Sequence, residues 1–188
     1  HERLETRLFS GFVRPATVVL DIGAHIGYYT LIAAQLVGEN GRVFAFEPEP
    51  ENYDVLVKNI ELNGYENVTP VRQAVSDSRG RIRLFLDQYK TENHSIGPLP
   101  ESKGVVMVDA TSLDDFFEGQ ELPIGIIKMD IEGAEPLALR GMTKIVETNS
   151  NLNIFTEFTP KALEACGSSA EAYFNLLKKC GFRIQVIS

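Results

Sequence analysis

Tryptophan is absent from this 188-residue chain, and it holds only two cysteines and three histidines. Cys166 and Cys180 have no close cysteine partner and no histidine at metal-ligand spacing. A disulfide framework and a zinc cluster are thereby excluded, and the pair reads as reduced, partly buried thiols of a cytoplasmic protein. Positive charge is also scarce: 18 Lys and Arg stand against 26 Asp and Glu, a formal net charge of −8. Nucleic acid and anionic membrane surfaces reward a basic face and are poor partners for such a chain. The one basic cluster is Arg79, Arg81 and Arg83, whose period of two sets all three on one face of a short strand, as charges that guard a solvated sheet edge. No apolar run reaches membrane-spanning length, so no transmembrane segment is expected, and the first residues lack the apolar core of a signal peptide. The chain begins with His1 rather than methionine, which reads as a trimmed piece of a longer protein.

What is present is ordinary for a globular protein, with 44% apolar and 23% charged residues. One domain over residues 1–188 is expected, burying roughly 70% of the surface its unfolded chain exposes. Apolar runs at Thr17 to Leu20, Val43 to Phe46, Val68 to Val75, Ile124 to Met129 and Leu152 to Phe158 read as strands between helical patterns. That alternation predicts an α/β fold, a mostly parallel central sheet flanked by helices. Tyr53, Leu56, Val57 and Ile60 form the core-facing stripe of a helix stopped by Asn63 and Gly64. Arg81 to Leu86 and Val105 to Val108 read as further strands. The polar, turn-rich loop from Gln88 to Gly104 between them reads either as a lid or recognition segment or as disorder. Ser112 with Asp115 and Ser168 with Glu171 are spaced as capping boxes. Tyr173, Leu177 and Cys180 continue a helical stripe, and GFRIQVIS reads as a final strand.

The most informative stretch is VVLDIGAHIGYYT, Val18 to Thr30, which joins an apolar strand to a glycine turn and a helix start. Gly23 and Gly27 allow close backbone approach, and amides at the helix start are placed to donate to a ligand. A dinucleotide site wants G-x-G-x-x-G here, but His25 occupies the middle glycine position, which weakens NAD(P) and an oxidoreductase reading. Asp21 also disfavours a pyrophosphate at the helix start and favours a ligand carrying ammonium and sulfonium groups. Glu47 ends the second strand in FAFEPEP, where an acid accepts hydrogen bonds from ribose hydroxyls. The combination suits S-adenosylmethionine.

With IIKMDIEGAEPLALRGM at Ile126 to Met142, the chain resembles the FkbM-type methyltransferases, a branch of the class I S-adenosylmethionine-dependent enzymes. The resemblance rests on VVLDIGAHIGYYT, VFAFEPEPENYDVLVKNIELNG, QAVSDSRG, TSLDDFF and KMDIEGAE in that order. It implies a Rossmann-like class I methyltransferase fold with a final antiparallel strand, and O-methylation of a hydroxyl on a small molecule, sugar or glycolipid. It also implies that Asp21, Gly23, Ala24, His25 and Gly27 contact the methionyl and ribose part of the cofactor and Glu47 the ribose. Gln73 and Ala74 would lie beside adenine, with Asp77 close behind.

An alcohol must lose a proton as it attacks the methyl group, which calls for a base near the strand ends. Asp130 and Glu132 are the candidates for base or acceptor-hydroxyl anchor, their division of labour open, and Lys128 for the charge that keeps the neighbouring carboxylate ionised. Glu135, beside Pro136 in the first turn of a helix, reads as a cap. No metal is assigned, a divalent ion on Asp130, Glu132 and Glu135 being the lesser alternative. His94 is a second candidate base, and Glu157 either faces the same cleft or caps the helix near Pro160. The competing class is a noncatalytic binding module that keeps the cradle without turnover. The acceptor and the oligomeric state are not legible.

Overall fold

Short apolar strands, punctuated by glycine turns, build the sheet that carries the cradle. In the computed structural model, which describes residues 3–89, 91–98 and 101–187, the chain begins with α1 (Arg3–Phe12), β1 (Val18–Ile22), α2 (Tyr28–Val37), β2 (Arg42–Phe46), α3 (Pro50–Asn63) and β3 (Val68–Val71). It continues through β4 (Ala74–Val75), β5 (Gly80–Asp87), β6 (Ser102–Thr111), α4 (Leu113–Phe116) and β7 (Ile124–Met129). The remainder is α5 (Glu135–Arg140), α6 (Thr143–Thr148), β8 (Asn153–Thr156), α7 (Pro160–Ala165) and α8 (Ala170–Lys179). Two compact units result: His1–Ala74 with Gly119–Met129 and Asn149–Phe155, and Val75–Glu118 with Asp130–Thr148 and Thr156–Ser188. No helix among the described residues is long and apolar enough to cross a membrane.

The first unit is organised by a five-stranded sheet in the order β3-β2-β1-β7-β8. β1 runs parallel to both β2 and β7, and β2 parallel to β3. All of β1 is buried, which explains an apolar run without alternation. The strand order reverses at β1, so the turn that leaves its carboxyl end lies where open α/β sheets bind ligands. On one face, Val19, Val43 and Ile126 share a core with Ala33 and Val37 of α2 and with Phe9 of α1. Phe9 meets Tyr29 and Phe155 edge to face at 5.2 and 5.7 Å, a geometry that adds about 0.5–1.5 kcal/mol per pair beyond area burial. The expected α3 stripe is present, with Leu56 and Ile60 packed against Ala24 and Ala45. Gly64, at φ 68°, ends that helix.

The second unit holds the sheet β4-β6-β5, with β5 and β6 antiparallel from Gly80 opposite Ala110 to Asp87 opposite Ser102. The single strand expected over Val68 to Val75 is therefore two, divided between sheets. Pro70 lacks an N–H, which suits β3 to the edge of its sheet, and the pairing with β2 runs on through Val71. In the expected loop, Ser95 exchanges two backbone hydrogen bonds with Phe85, at 2.7 and 3.1 Å. The loop is thereby structured on both sides of that bridge, and residues 90, 99 and 100 lie outside the described residues. Ser112 caps α4 as expected, accepting from the Asp115 N–H at 3.0 Å. For α8 the cap is Ser169 rather than Ser168, accepting from the Ala172 N–H at 3.1 Å, while the Ser168 N–H bonds the Leu163 carbonyl. The final strand is also corrected. Gly181, at φ 86°, turns the chain out of α8, and residues 182–187 join no ladder, so the alternation of Phe182 and Ile184 reflects one-sided packing.

Two glycines test this packing in opposite senses. A Cβ at Gly41 would press on Val37 and come within 2.9 Å of the Thr17 carbonyl oxygen, whereas Gly11, in exposed helix, has open space around it. In urea denaturation, Gly41→Ala is expected to destabilise by about 1–3 kcal/mol and Gly11→Ala to stabilise by about 0.5–1 kcal/mol.

Candidate functional site

Asp21, the fourth residue of β1, is only 1% exposed, and its Oδ2 accepts a 2.6 Å hydrogen bond from the Thr30 hydroxyl in α2. The parallel register sets Lys128 of β7 beside Asp21. Both reach the α2 face, where the Lys128 ammonium lies 4.7 Å from the centre of the Tyr29 ring. Lys128 is thus placed as a neighbour of Asp21. The turn after β1 is tied to the end of β2, for the N–H groups of Gly23 and Ala24 both donate to the Phe46 carbonyl, at 3.0 and 2.9 Å. The Gly27 N–H donates to the Ala24 carbonyl at 2.8 Å. Gly23, His25 and Gly27 all take left-handed φ angles, 79°, 50° and 96°. Histidine is among the residues that tolerate this region, which accounts for a non-glycine at the middle position. The amides of residues 23, 24 and 27 are thus engaged internally, and what the turn itself offers a ligand is close backbone.

Glu47 closes the arrangement. It is 5% exposed, its Oε2 accepts from the His25 N–H at 2.8 Å and its Oε1 from the Glu49 N–H at 2.9 Å. One carboxylate therefore holds the turn after β1 to the turn after β2. Burial pushes its pKa up to about 7, the two N–H bonds opposing the rise and the charges of Glu49 and Asp21 adding to it. Glu49 continues the chain of contacts, its side chain capping α3 through the Asn52 N–H at 2.7 Å. Gln73 is half-buried in the link between β3 and β4, and Ala74 is buried.

The second unit gathers acids from the turn after β7 and from the residue that follows β8. Oxygens of Asp130, Glu132 and Glu157 lie within 4.8 Å of one another. Partial burial and the charges of Asp130 and Glu132 raise the Glu157 carboxyl to about 8, with Asp130 in hydrogen-bond contact. Glu135 is directed elsewhere: it is 2% exposed and its Oε1 accepts from the Ile131 N–H at 3.1 Å. The trio of Asp130, Glu132 and Glu135 is accordingly replaced by one in which Glu157 takes the place of Glu135. Glu132 stands at φ 49° and Gly133 at φ 95°, where a Cβ would collide with the Ala162 carbonyl of α7. The Ser95 hydroxyl anchors this turn by donating to the Glu132 carbonyl at 2.8 Å. His94 accepts at Nδ1 from the Asp87 N–H at 3.0 Å, a role in loop structure. Asp77 forms a 3.9 Å ion pair with Arg140 in this unit.

The Methyltransferase FkbM domain model matches residues 21–184, from the strand-end acid of β1 past the end of α8. The chain belongs to the FkbM methyltransferase family. This is a family of S-adenosylmethionine-dependent methyltransferases with the Rossmann-like class I fold. The FkbM chain is 29% identical over 133 residues to the Hexuronic acid methyltransferase AglP of Haloferax volcanii, covering 70% of this chain and 52% of that protein. It thus spans about half the length of that relative. It is 26% identical to Methyltransferase 1 of Beauveria bassiana, covering 89% of this chain and 73% of that one. Among solved structures, the FkbM methyltransferase of Methylobacillus flagellatus superimposes with a TM-score of 0.58 at 18% identity, covering 93% of this chain and 44% of the other. The precorrin-6y C5,15-methyltransferase of Geobacter metallireducens gives 0.60 at 14% identity, with coverages of 97% and 73%.

Thr30, Glu49 and Ser95 escaped the sequence reading. Only Thr30 left a signal: it is the one small polar residue near the start of the apolar helix YYTLIAAQLV, and a fully buried hydroxyl needs a partner. Glu47 supplies the pH test. Its folded pKa, about 7, lies above the ordinary 4.5, so the folded state holds a proton that the unfolded state releases between those values. Its contribution is fully present below about pH 4.5 and is lost as pH rises through 7. Urea midpoints taken from pH 4.5 to 7.5 should show this decline, and Glu47→Gln should flatten it.

Proposed function

We propose that this chain is the core of an S-adenosylmethionine-dependent O-methyltransferase acting on a hydroxyl of a sugar-type acceptor. The observation that carries the reading is Glu47, buried at the end of β2 with each oxygen committed to one backbone N–H. A carboxylate oxygen has two acceptor positions, so both Glu47 oxygens retain one for the paired hydroxyls of a ribose. The left-handed turn at Gly23, His25 and Gly27 suits a ligand lying close to the backbone. Asp21 and Lys128 set the charge of the sheet beneath it. The residues present therefore fit the cofactor of the family. Gln73 and Ala74 are assigned to its adenine side and Ala24 to the turn that holds it.

S-adenosylmethionine supplies, when bound, an electrophilic methyl group on a sulfonium. The chain must bring an acceptor oxygen into line and take its proton. We assign proton removal to a carboxylate oxygen of Asp130, with Glu132 as anchor for the acceptor hydroxyl. Glu157 supports this division, because burial and the charges of Asp130 and Glu132 raise its carboxyl to about 8, so Glu157 itself holds a proton near neutral pH, in hydrogen-bond contact with Asp130. A sugar hydroxyl as acceptor draws on the name of the Haloferax relative, a hexuronic acid methyltransferase.

Calorimetric titration with S-adenosylhomocysteine separates the two halves of the proposal. Glu47→Ala is expected to weaken binding about tenfold or more through lost charged hydrogen bonds. Asp130→Asn should leave affinity within about twofold while slowing methyl transfer by roughly 10²–10⁴. Binding untouched by Glu47→Ala overturns the cradle assignment, and full turnover in Asp130→Asn removes the base. Binding without transfer to any hydroxyl acceptor would mark a noncatalytic module.

A further inference from the structure

The arginine cluster expected at a solvated edge is divided by the structure. Arg79 lies outside β5 and donates to the Asp115 carbonyl at 2.7 Å. Arg81, Arg83 and Phe85 alternate along one face of β5, opposite Asp109, Met107 and Val105 of β6. This face forms one side of a groove of about 500 Å³, which Ile96 and Pro98 of the following loop help to line. Its size falls within the range of small-molecule sites. The apolar part is open, Met107 being 49% exposed. Arg81 lies 3.6 Å from Asp109 in an exposed pair of the kind worth little in water. Arg83 has no ion-pair partner among the described residues.

We infer that this groove holds a carboxylate-bearing sugar of the acceptor, with Arg83 and Arg81 on the carboxylate and Phe85 and Met107 under the ring. The chemistry is complementary in both parts. A guanidinium is a planar fork that matches a carboxylate in two parallel hydrogen bonds, and the C–H face of a sugar is apolar enough to rest on an aromatic ring and a thioether. In a chain of net charge −8, Arg83 together with Arg81, which shares its charge only with the exposed Asp109, stands over an apolar floor as a local reversal of sign that favours an anion there. The groove is also connected to the proposed base. Ile96 and Pro98 follow Ser95, whose hydroxyl holds the Glu132 carbonyl at 2.8 Å, so occupant and acidic turn share one loop within one unit. This inference deepens the proposed function and rests on it for the reaction that the bound sugar undergoes.

The test uses the chain loaded with S-adenosylhomocysteine and two probes, digalacturonate and its dimethyl ester, which share one sugar skeleton and differ in the two carboxylate charges that the ester methyl groups mask. Digalacturonate is expected to bind about tenfold more tightly than the ester, in line with a charge-assisted hydrogen bond. Arg83→Gln should erase that difference without changing affinity for S-adenosylhomocysteine, and Arg83→Lys should restore part of it. Equal binding of acid and ester, or a preference unmoved in both Arg83→Gln and Arg81→Gln, overturns the inference. So does displacement of the sugar by inorganic phosphate at equal concentration, which marks a generic anion site. With transferable acceptors, Arg83→Gln should raise KM for the acid and leave kcat in place. Arginine-dependent sugar binding without any methyl transfer would leave the groove standing and sink the proposed reaction. Transfer that ignores the carboxylate would do the reverse.

Discussion

A single buried carboxylate fixes the distance between the two turns that leave β1 and β2. Glu47 receives the N–H of His25 with one oxygen and that of Glu49 with the other, and the turn after β1 is bound a second time through the Phe46 carbonyl. Without those acceptors, a run of left-handed residues at positions 23, 25 and 27 would have no reason to persist, since such conformations survive only where the surroundings over-determine them. The cost is a charge held out of water, visible in a pKa raised to about 7. Sites that manage charge in transition states often carry that kind of tension.

The two units handle their acids differently. In the first, Asp21 and Glu47 are buried and held by short hydrogen bonds, so they are rigid parts of the turn geometry. In the second, Asp130, Glu132 and Glu157 crowd one another at partly exposed positions, and burial, followed by the charges of Asp130 and Glu132, raises the proton affinity of Glu157. Rigidity suits recognition of a fixed ligand, whereas shared protons suit chemistry in which a proton must move. The turn that carries the second group is itself pinned, by the Ser95 hydroxyl and by close packing of Gly133 on α7.

Much of this was legible in the chain because it is encoded locally. β1, β2 and β7 are short apolar runs, the α3 stripe recurs at helical spacing, and Gly64 stops the helix where a left-handed residue is required. The failures involve partners distant in sequence. Val68 to Val75 has one hydropathy profile but two strand neighbours, β2 for its first half and β6 for its second. Residues 182–187 have strand alternation and no ladder. Glu157, whose place the sequence leaves open between cleft and cap, joins Asp130 and Glu132, while Glu135 turns to the Ile131 N–H, because the direction of a carboxylate depends on which partner lies within reach, and spacing along the chain does not record that.

By itself the sequence determined the class of the sheet, the position of the cradle at the end of its first strand and the acids that flank it, since strand period, glycine placement and turn chemistry act over a few residues. Tertiary structure alone decided what those groups do to one another. It turned the amides of the glycine turn inward onto Phe46, set Lys128 beside Asp21 through a register between strands more than a hundred residues apart, and parted Arg79 from Arg81 and Arg83. The physical reason is common to all three. Hydrogen bonds and charge pairs are short-ranged, so their partners are chosen by whatever packing brings within about 3–4 Å, and only the folded chain contains that information.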